Sequence, residues 1–490
     1  MSSQANSTPD NTFAGRTHTE RVRADAAGQA HVFRFWTELD EAGREQLLKQ
    51  LQAVDYELLG RLGALLKMDE PAPSESTPEL TPPDLFPLAR DEGASAIADL
   101  ATAQGNELLD GGQVGYMIVA GGQGSRLGYD GPKGCFPVGP LSDRTLFELH
   151  ARRLLAAGRR HGNAPVWYVM TSPANDAPTR KFFEENGHFG LEPTNVFFFS
   201  QDMLPALDLE GRMLLAAKDS LFLAPNGHGG SLAALASSGA LEDMERRGIT
   251  LISYFQVDNP FARPADALFL GLHRRAGAGM SSKVVAKRDA GEKVGVLGNI
   301  DGVMGCIEYS DLAPELREAT DETGNLLFRA GNIAVHALDV SFVKELTSGG
   351  VLSLPWHVAR KTMSALGETA DEVAIAGAKF ETFVFDALAK SASSVTLEVS
   401  REVEFSPVKN RDGEDSADSC RSDLCRMFAS WLVNSGIEAP QGRVGEFPAI
   451  EVDPLFAEDR DEFIQRLRDG HVGQVTATGG LRFEDPEAIE

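Results

Sequence analysis

The stretch Met117-Ile-Val-Ala-Gly-Gly-Gln-Gly-Ser-Arg-Leu-Gly-Tyr-Asp-Gly-Pro-Lys-Gly134 decides how the rest of the chain is read. An apolar run opens directly into a loop crowded with glycine, the pattern of a strand that delivers its end to a ligand. Glycine lets the main chain approach a ligand without a Cβ clash, and successive free amides form a concave anion site. Phosphate is therefore the expected ligand, held by main-chain contact at Gly121, Gly122 and Gly124, with Arg126 and Lys133 adding positive charge. Two better-known motifs fail on this string. The dinucleotide fingerprint needs a glycine where Leu127 stands. The P-loop needs Gly-Lys before Ser or Thr, whereas Lys133 lies between Pro132 and Gly134. A glycine-rich surface turn is disfavoured by the strand before it and the two cations within it.

Outward from the loop, short apolar runs alternate with amphipathic stretches, the signature of a wound α/β sheet. Strands are expected at 115–119, 166–171, 195–200, 250–257 and 283–287, and helices at 145–157, 175–185, 231–246 and 265–276. A hairpin joins 294–297 to 303–309 through Ile300-Asp301-Gly302, whose Asp-Gly pair suits a tight turn. Toward the N-terminus, residues 1–30 are polar and expected to fray. Leu47, Leu48, Leu51, Val54, Leu58, Leu62 and Leu65 then recur at helical spacing. Residues 68–84 hold Pro71, Pro73, Pro78, Pro82 and Pro83 and are expected to form an extended connector. Toward the C-terminus, 412–419 is acidic and serine-rich and reads as a loop. The region from 421 onward shows no clear pattern. Three parts follow: an N-terminal helical region and connector (1–110), a catalytic domain (111–400) and a small C-terminal domain (401–490).

Over 490 residues, 42% hydrophobic and 24% charged residues are the composition of an ordinary globular protein. The 72 acidic and 46 basic side chains leave a net charge of -26, which disfavours a nucleic-acid polymer as partner. A small phosphorylated substrate is compatible, because local cations, amides and a metal ion act at short range. The first residues lack a basic start and an apolar run, and no apolar stretch is long enough to span a bilayer. A cytoplasmic location without membrane contact is expected. Four cysteines are too few for a disulfide framework, and Cys420 and Cys425 have no second pair with which to bind zinc.

The glycine loop and Pro132-Lys133-Gly134 resemble the nucleotide loop of sugar-1-phosphate nucleotidyltransferases. Further segments narrow the resemblance: Ser200-Gln-Asp-Met-Leu-Pro205, Ala224-Pro-Asn-Gly-His-Gly-Gly230, Gln256-Val-Asp-Asn259, Asp301-Gly-Val-Met-Gly-Cys-Ile-Glu-Tyr309, Ala330-Gly-Asn-Ile333, Lys379-Phe-Glu-Thr-Phe-Val-Phe-Asp386 and Phe405-Ser-Pro-Val-Lys-Asn410. Together they are similar to the eukaryotic-type UDP-N-acetylhexosamine pyrophosphorylases, from the N-terminal helices to about residue 410. The resemblance implies a Rossmann-like mixed sheet and a reaction of UTP with a sugar 1-phosphate that releases pyrophosphate.

Such a transfer needs no protein nucleophile, since the sugar phosphate already carries an anionic oxygen. Catalysis then rests on positioning and on neutralising charge. Arg126, Lys133 and, by resemblance, Lys379 are the catalytic candidates. Asp258 ends an apolar strand, where ligands of open α/β sheets bind, and its carboxylate could hold Mg2+ against the nucleotide phosphates, or else cap a loop. The resemblance further implies uracil contacts at Gln201 and Gly227. It implies sugar contacts at Glu308 and Asn332, an N-acetyl neighbour at Phe383 and a sugar-phosphate contact at Lys409.

Two departures stand out: Ser125 replaces the family's usual threonine, and His228 replaces the asparagine of the N-acetylhexosamine enzymes. The Gly-His-Gly string instead resembles UDP-glucose and broad-specificity UDP-sugar pyrophosphorylases. N-acetylglucosamine 1-phosphate is the expected sugar substrate, and glucose 1-phosphate the alternative. A silent nucleotide-sugar-binding protein would not need Arg126, Lys133, Asp258 and Lys379 together, and Leu127 disfavours an NAD-dependent dehydrogenase. Oligomeric state is not legible in the sequence.

Overall fold

The computed structural model describes residues 12–68, 78–309, 311–438, 449–477 and 479–485. They form two compact units, one built from the chain up to Thr77 with Asp202–Gly230 and Leu354–Phe383, the other from Pro78–Gln201, Ser231–Ser353 and Val384–Glu490.

The larger unit is organised by a mixed sheet. Eight strands form its path: β1 (Leu85–Phe86), β2 (Val114–Val119), β3 (Val166–Thr171), β4 (Val196–Ser200), β5 (Leu251–Gln256), β6 (Met280–Ala286), β7 (Ala330–Asp339) and β8 (Thr396–Val399). Their order is β1-β8-β6-β7-β5-β2-β3-β4. β5, β2, β3 and β4 run parallel, as do β6, β8 and β1, whereas β7 lies antiparallel between β6 and β5. Strands such as Val-Gly-Tyr-Met-Ile-Val are buried along almost their whole length, on both faces, and so read as unbroken apolar runs instead of alternating. Helix Leu146–His161 shows how local chemistry sets the elements. The Thr145 hydroxyl accepts from the Glu148 amide at its start, left-handed Gly162 ends it, and Leu146, Phe147, Leu149 and Leu154 enter the core.

The five expected strands and the 296–307 hairpin are present. Differences have local causes. Expected helix 231–246 is two helices, Gly230–Ser237 and Ala240–Arg246, because Gly239 adopts φ 81 between them. The fraying expected over 1–30 does not hold from Phe13 onward. Helix Phe13–Ala26 is N-capped by Thr12, and Arg23 pairs with buried Glu20 and donates to the Val54 carbonyl. Within the expected connector, 69–77 lies outside the described residues, and Leu80–Thr81 pairs with Val296–Ile300. The loop expected at 412–419 closes in a capping box, where Ser416 and Ser419 start helix Ala417–Asn434. That helix, helix Arg460–Arg468 and a three-stranded sheet of Ile450–Val452, Gln474–Val475 and Leu481–Phe483 give structure to the unpatterned C-terminal region.

In the smaller unit, helices Glu41–Gln52 and Tyr56–Lys67 bury Leu47, Leu48, Leu51, Leu59, Leu62 and Leu66. These pack with Leu207, Met213 and Phe380. Leu58 and Leu65, which recur at helical spacing in the sequence, are half-buried one position away from buried Leu59 and Leu66. A long hairpin, His357–Leu366 with Glu372–Glu381, was not expected; its strands pair at ten positions, and Met363, Ala365, Ala378 and Phe380 are buried.

Candidate active site

The carboxyl ends of β2, β3, β4 and β5 place most of the expected site residues of the larger unit. After β2 the chain folds back on itself: the Gly124 amide donates to the Gly131 carbonyl (2.9 Å) and the Lys133 amide to the Gly122 carbonyl (3.1 Å). The loop's carbonyls are drawn to the β3 side. Ser172 Oγ donates to the Gly121 carbonyl (2.8 Å), and Asn175 Nδ2 to the Ala120 (2.8 Å) and Gly122 (3.2 Å) carbonyls. Among the described residues, the amides of Gly121, Gly122 and Gln123 have no protein acceptor. Donors left over while carbonyls are tied down are what an anion site requires.

The glycines differ in what demands them. A Cβ on Gly124 would lie 2.8 Å from Tyr129 Cδ1, and one on Gly121 3.0 Å from Gln201 Nε2, whereas Gly122 faces open space. Gln201, just past β4, is buried, and its amide donates to the Thr171 carbonyl (3.0 Å). Gly121 and Gln201, quoted from distant segments, are thus neighbours. Arg126 stands exposed on the turn Ser125–Leu127.

Lys133 begins the turn Lys133–Cys135, seated against helix Leu146–His161: a Cβ on Gly134 would meet Phe147 Cε2 at 2.1 Å. From this seat Lys133 Nζ donates to Asp258 Oδ2 at 3.3 Å, with side chains only 18% and 13% exposed. The pair forms because β2 and β5 are parallel neighbours in register, Val119 opposite Gln256. Among the described residues no three Asp, Glu, His or Cys side chains cluster as a metal site. The donor set therefore fits Mg2+ only as a shared ion, Asp258 supplying a carboxylate and substrate phosphates the remaining oxygens.

Glu308 and Asn332 lie on neighbouring segments, Val296 pairing with Ile307 and with Gly331. A bulge between Lys283 and Val284 of β6 shifts the register opposite β7, and there Ala334 takes φ 54 while its amide donates to Asn332 Oδ1 at 2.9 Å. The bulge re-aims Asn332. Its Nδ2 lies 4.0 Å from Cys306 Sγ, and burial, helped by Glu308, pushes the Cys306 thiol up to about 12. Burial pushes Cys135 and Cys420 up to about 12 as well and raises Cys425, and none of the four is in a disulfide. No thiolate nucleophile is poised among them. Lys409 is exposed, 3.7 Å from Asp415 and 5.5 Å over the Phe405 ring.

In the smaller unit, Gly227 takes φ 80, and a Cβ there would lie 2.4 Å from the Thr382 carbonyl. The Gly229 amide donates to that carbonyl (2.8 Å) and the Thr382 amide to the Asn226 carbonyl (2.9 Å). This backbone clasp joins two of the quoted segments and brings His228 to Phe383, ring centroids 5.3 Å apart. His357, on the unexpected hairpin, lies against Phe383, ring centroids 4.5 Å apart and planes tilted by 33°. Lys379 Nζ sits 5.3 Å over Phe222.

Sequence reasoning missed Ser172, Asn175 and His357. Asn175 was legible only as a helix start, because its two carbonyl acceptors come from a loop fifty residues earlier.

Fold and site together define a nucleotidyltransferase. The family profile described as "UTP--glucose-1-phosphate uridylyltransferase" matches residues 76–477. "UDP-N-acetylhexosamine pyrophosphorylase-like protein 1" of Xenopus tropicalis is 36% identical over 440 residues, 86% of each chain. "UDP-N-acetylglucosamine diphosphorylase 2" of Arabidopsis thaliana is 33% identical over 91% of each. A crystal structure of the uridine diphosphate N-acetylglucosamine pyrophosphorylase from Trypanosoma brucei superimposes with a TM-score of 0.80 at 26% identity, covering 94% of this chain and 96% of that one. The chain belongs to the UTP:sugar-1-phosphate uridylyltransferases, the UDP-sugar pyrophosphorylase family, as the quoted motifs implied. No helix among the described residues is long and apolar enough to cross a membrane.

Proposed function

We propose that this chain forms UDP-N-acetylglucosamine and pyrophosphate from UTP and N-acetylglucosamine 1-phosphate. The observation that carries the reading is the Lys133–Asp258 pair beside a loop with unpaired amides. A phosphate oxygen of the sugar phosphate attacks the α-phosphorus of UTP, the bond to the bridging oxygen breaks, and pyrophosphate leaves with that electron pair. The free loop amides of Gly121 and Gly122 hold the nucleotide, Gly124, whose own amide is bonded to the Gly131 carbonyl, lets the main chain of the loop come close to it, and Lys133, with Arg126 and Lys379, neutralises charge on the transferring phosphate. Mg2+, if held in part by the Asp258 carboxylate, would supply positive charge that offsets the negative charge of the substrate phosphates. Gln201 and Gly227 serve uracil. Glu308, Asn332, His228 and Phe383 serve the sugar, and Lys409 its phosphate. The acetylated sugar is favoured because several similar relatives carry N-acetylhexosamine or N-acetylglucosamine in their names. His228, packed on Phe383, favours a second activity with glucose 1-phosphate.

Pyrophosphate release from UTP over a panel of sugar 1-phosphates tests the reading. The highest kcat/KM is expected with N-acetylglucosamine 1-phosphate; turnover of glucose 1-phosphate alone would replace it with the second reading.

A further inference from the structure

We infer that Asn259 is a positioning residue of the transfer: its carboxamide fastens the Asp258 turn to the 404–408 segment and so sets where Lys409 stands relative to Asp258. The inference rests on the assignment of Asp258 and Lys409 to the substrates.

Asn259 is 3% exposed, so its amide group must find partners inside the protein. Nδ2 donates to the Glu404 carbonyl (2.8 Å), and Oδ1 accepts from the Ser406 amide (3.2 Å) and the Phe261 amide (3.3 Å). One residue earlier, the Asp258 carbonyl accepts from the Val408 amide at 2.8 Å. Three bonds thus run between 258–259 and 404–408, the last of them next to Lys409. Two of the three belong to one side chain, and it needs both a donor and an acceptor. Among side chains of this size only asparagine supplies them on two separate terminal atoms without a charge.

The far side of the brace is anchored. Glu404 Oε2 lies 2.5 Å from Lys283 Nζ, which also meets Asp266 Oδ2 at 2.6 Å. Lys283 is fully buried on β6, and Asp266 caps helix Ala267–Arg275. Burial alone would lower the Lys283 pKa, but the two carboxylates raise it above its ordinary value, so the ammonium stays charged. Moving Glu404 away would leave a buried charge half-compensated, which is strongly unfavourable. Ser406 Oγ adds a bond to Asp423 Oδ2 at 2.8 Å. With 404–408 held to the sheet, the two Asn259 carboxamide bonds act with the Asp258–Val408 backbone bond to fix Asp258 relative to the chain that carries Lys409. Small displacements of a positioned group cost up to about 10²-fold in rate.

The test is a double-mutant cycle on the full chain. kcat and KM for both substrates are measured for Asn259→Ala, Asn259→Asp, Lys409→Ala and the combinations, with Asp258→Asn as a control. Asn259→Asp keeps the acceptor and loses the donor, and it carries the test if the alanine variant does not fold. The expected result is a loss in kcat of about tenfold or more for Asn259→Ala, and a smaller one for Asn259→Asp. Either loss should shrink to about threefold or less in the Lys409→Ala background, because misplacing an absent ammonium costs nothing. A loss equal in both backgrounds, or unchanged kcat at Asn259 while Lys409→Ala and Asp258→Asn impair turnover, would overturn the inference. Unimpaired turnover in Lys409→Ala and Asp258→Asn would remove the substrate assignment instead, and the inference with it.

Discussion

Replacing Lys133 by alanine separates charge stabilisation from binding. At 3.3 Å and an effective dielectric constant of about 20, Lys133 and Asp258 attract by roughly 5 kcal/mol before any desolvation cost. That attraction, with Gly134 wedged against Phe147, holds the ammonium in one place before substrate arrives. A cation held ready costs no reorganisation when charge develops on the transferring phosphate. Losing one such preorganised contact typically costs about 10²- to 10³-fold in kcat. Lys133→Ala should therefore lower kcat by about 10²-fold or more, read as pyrophosphate release at saturating substrates over a magnesium titration. Asp258→Asn moves a different quantity. It removes the carboxylate proposed to share the ion, so the magnesium concentration for half-maximal rate should rise. In Lys133→Ala it should stay level or fall, because a like charge beside the ion has gone. Near-normal kcat in Lys133→Ala with only a raised KM would refute the reasoning, since it would mean that Lys133 binds ground and transition states equally.

Three further outcomes are expected. His228→Asn should shift the ratio of kcat/KM values toward N-acetylglucosamine 1-phosphate over glucose 1-phosphate by about 1–3 kcal/mol, and an unchanged ratio would show that His228 does not face the sugar. Gly134→Ala should destabilise the fold by about 1–3 kcal/mol in denaturant titrations, because its Cβ would overlap a fully buried Phe147 ring. His150 is fully buried beside Phe255, Nε2 facing the Val257 carbonyl at 3.2 Å, and burial lowers its pKa to about 3. The unfolded chain therefore takes up a proton below about pH 6.5 that the folded chain refuses, and stability is lost as pH falls from there toward 3. His150→Gln should flatten that part of the pH–stability curve; an unaltered slope would assign the acid sensitivity to other groups.

The strand-loop at 117–134 and the alternation of apolar runs were legible in sequence because their causes are local. A strand buried on both faces must be continuously apolar, and a backbone that approaches an anion must be free of Cβ atoms. The candidate residues were legible one by one for the same reason: glycine, lysine and aspartate announce their chemistry wherever they stand. Sequence could not show that Lys133 faces Asp258, since 125 residues separate them and only the parallel register of β2 and β5 joins them. Nor could it show Ser172 and Asn175 turning the loop's amides free, the bulge at Ala334 that aims Asn332, or His357 behind Phe383. Each depends on hydrogen bonds or ring contacts between segments brought together by packing. Composition and short-range periodicity determined which chemistry this chain carries, and tertiary structure alone decided which charges meet, because distance in space is set by the sheet and not by separation along the chain.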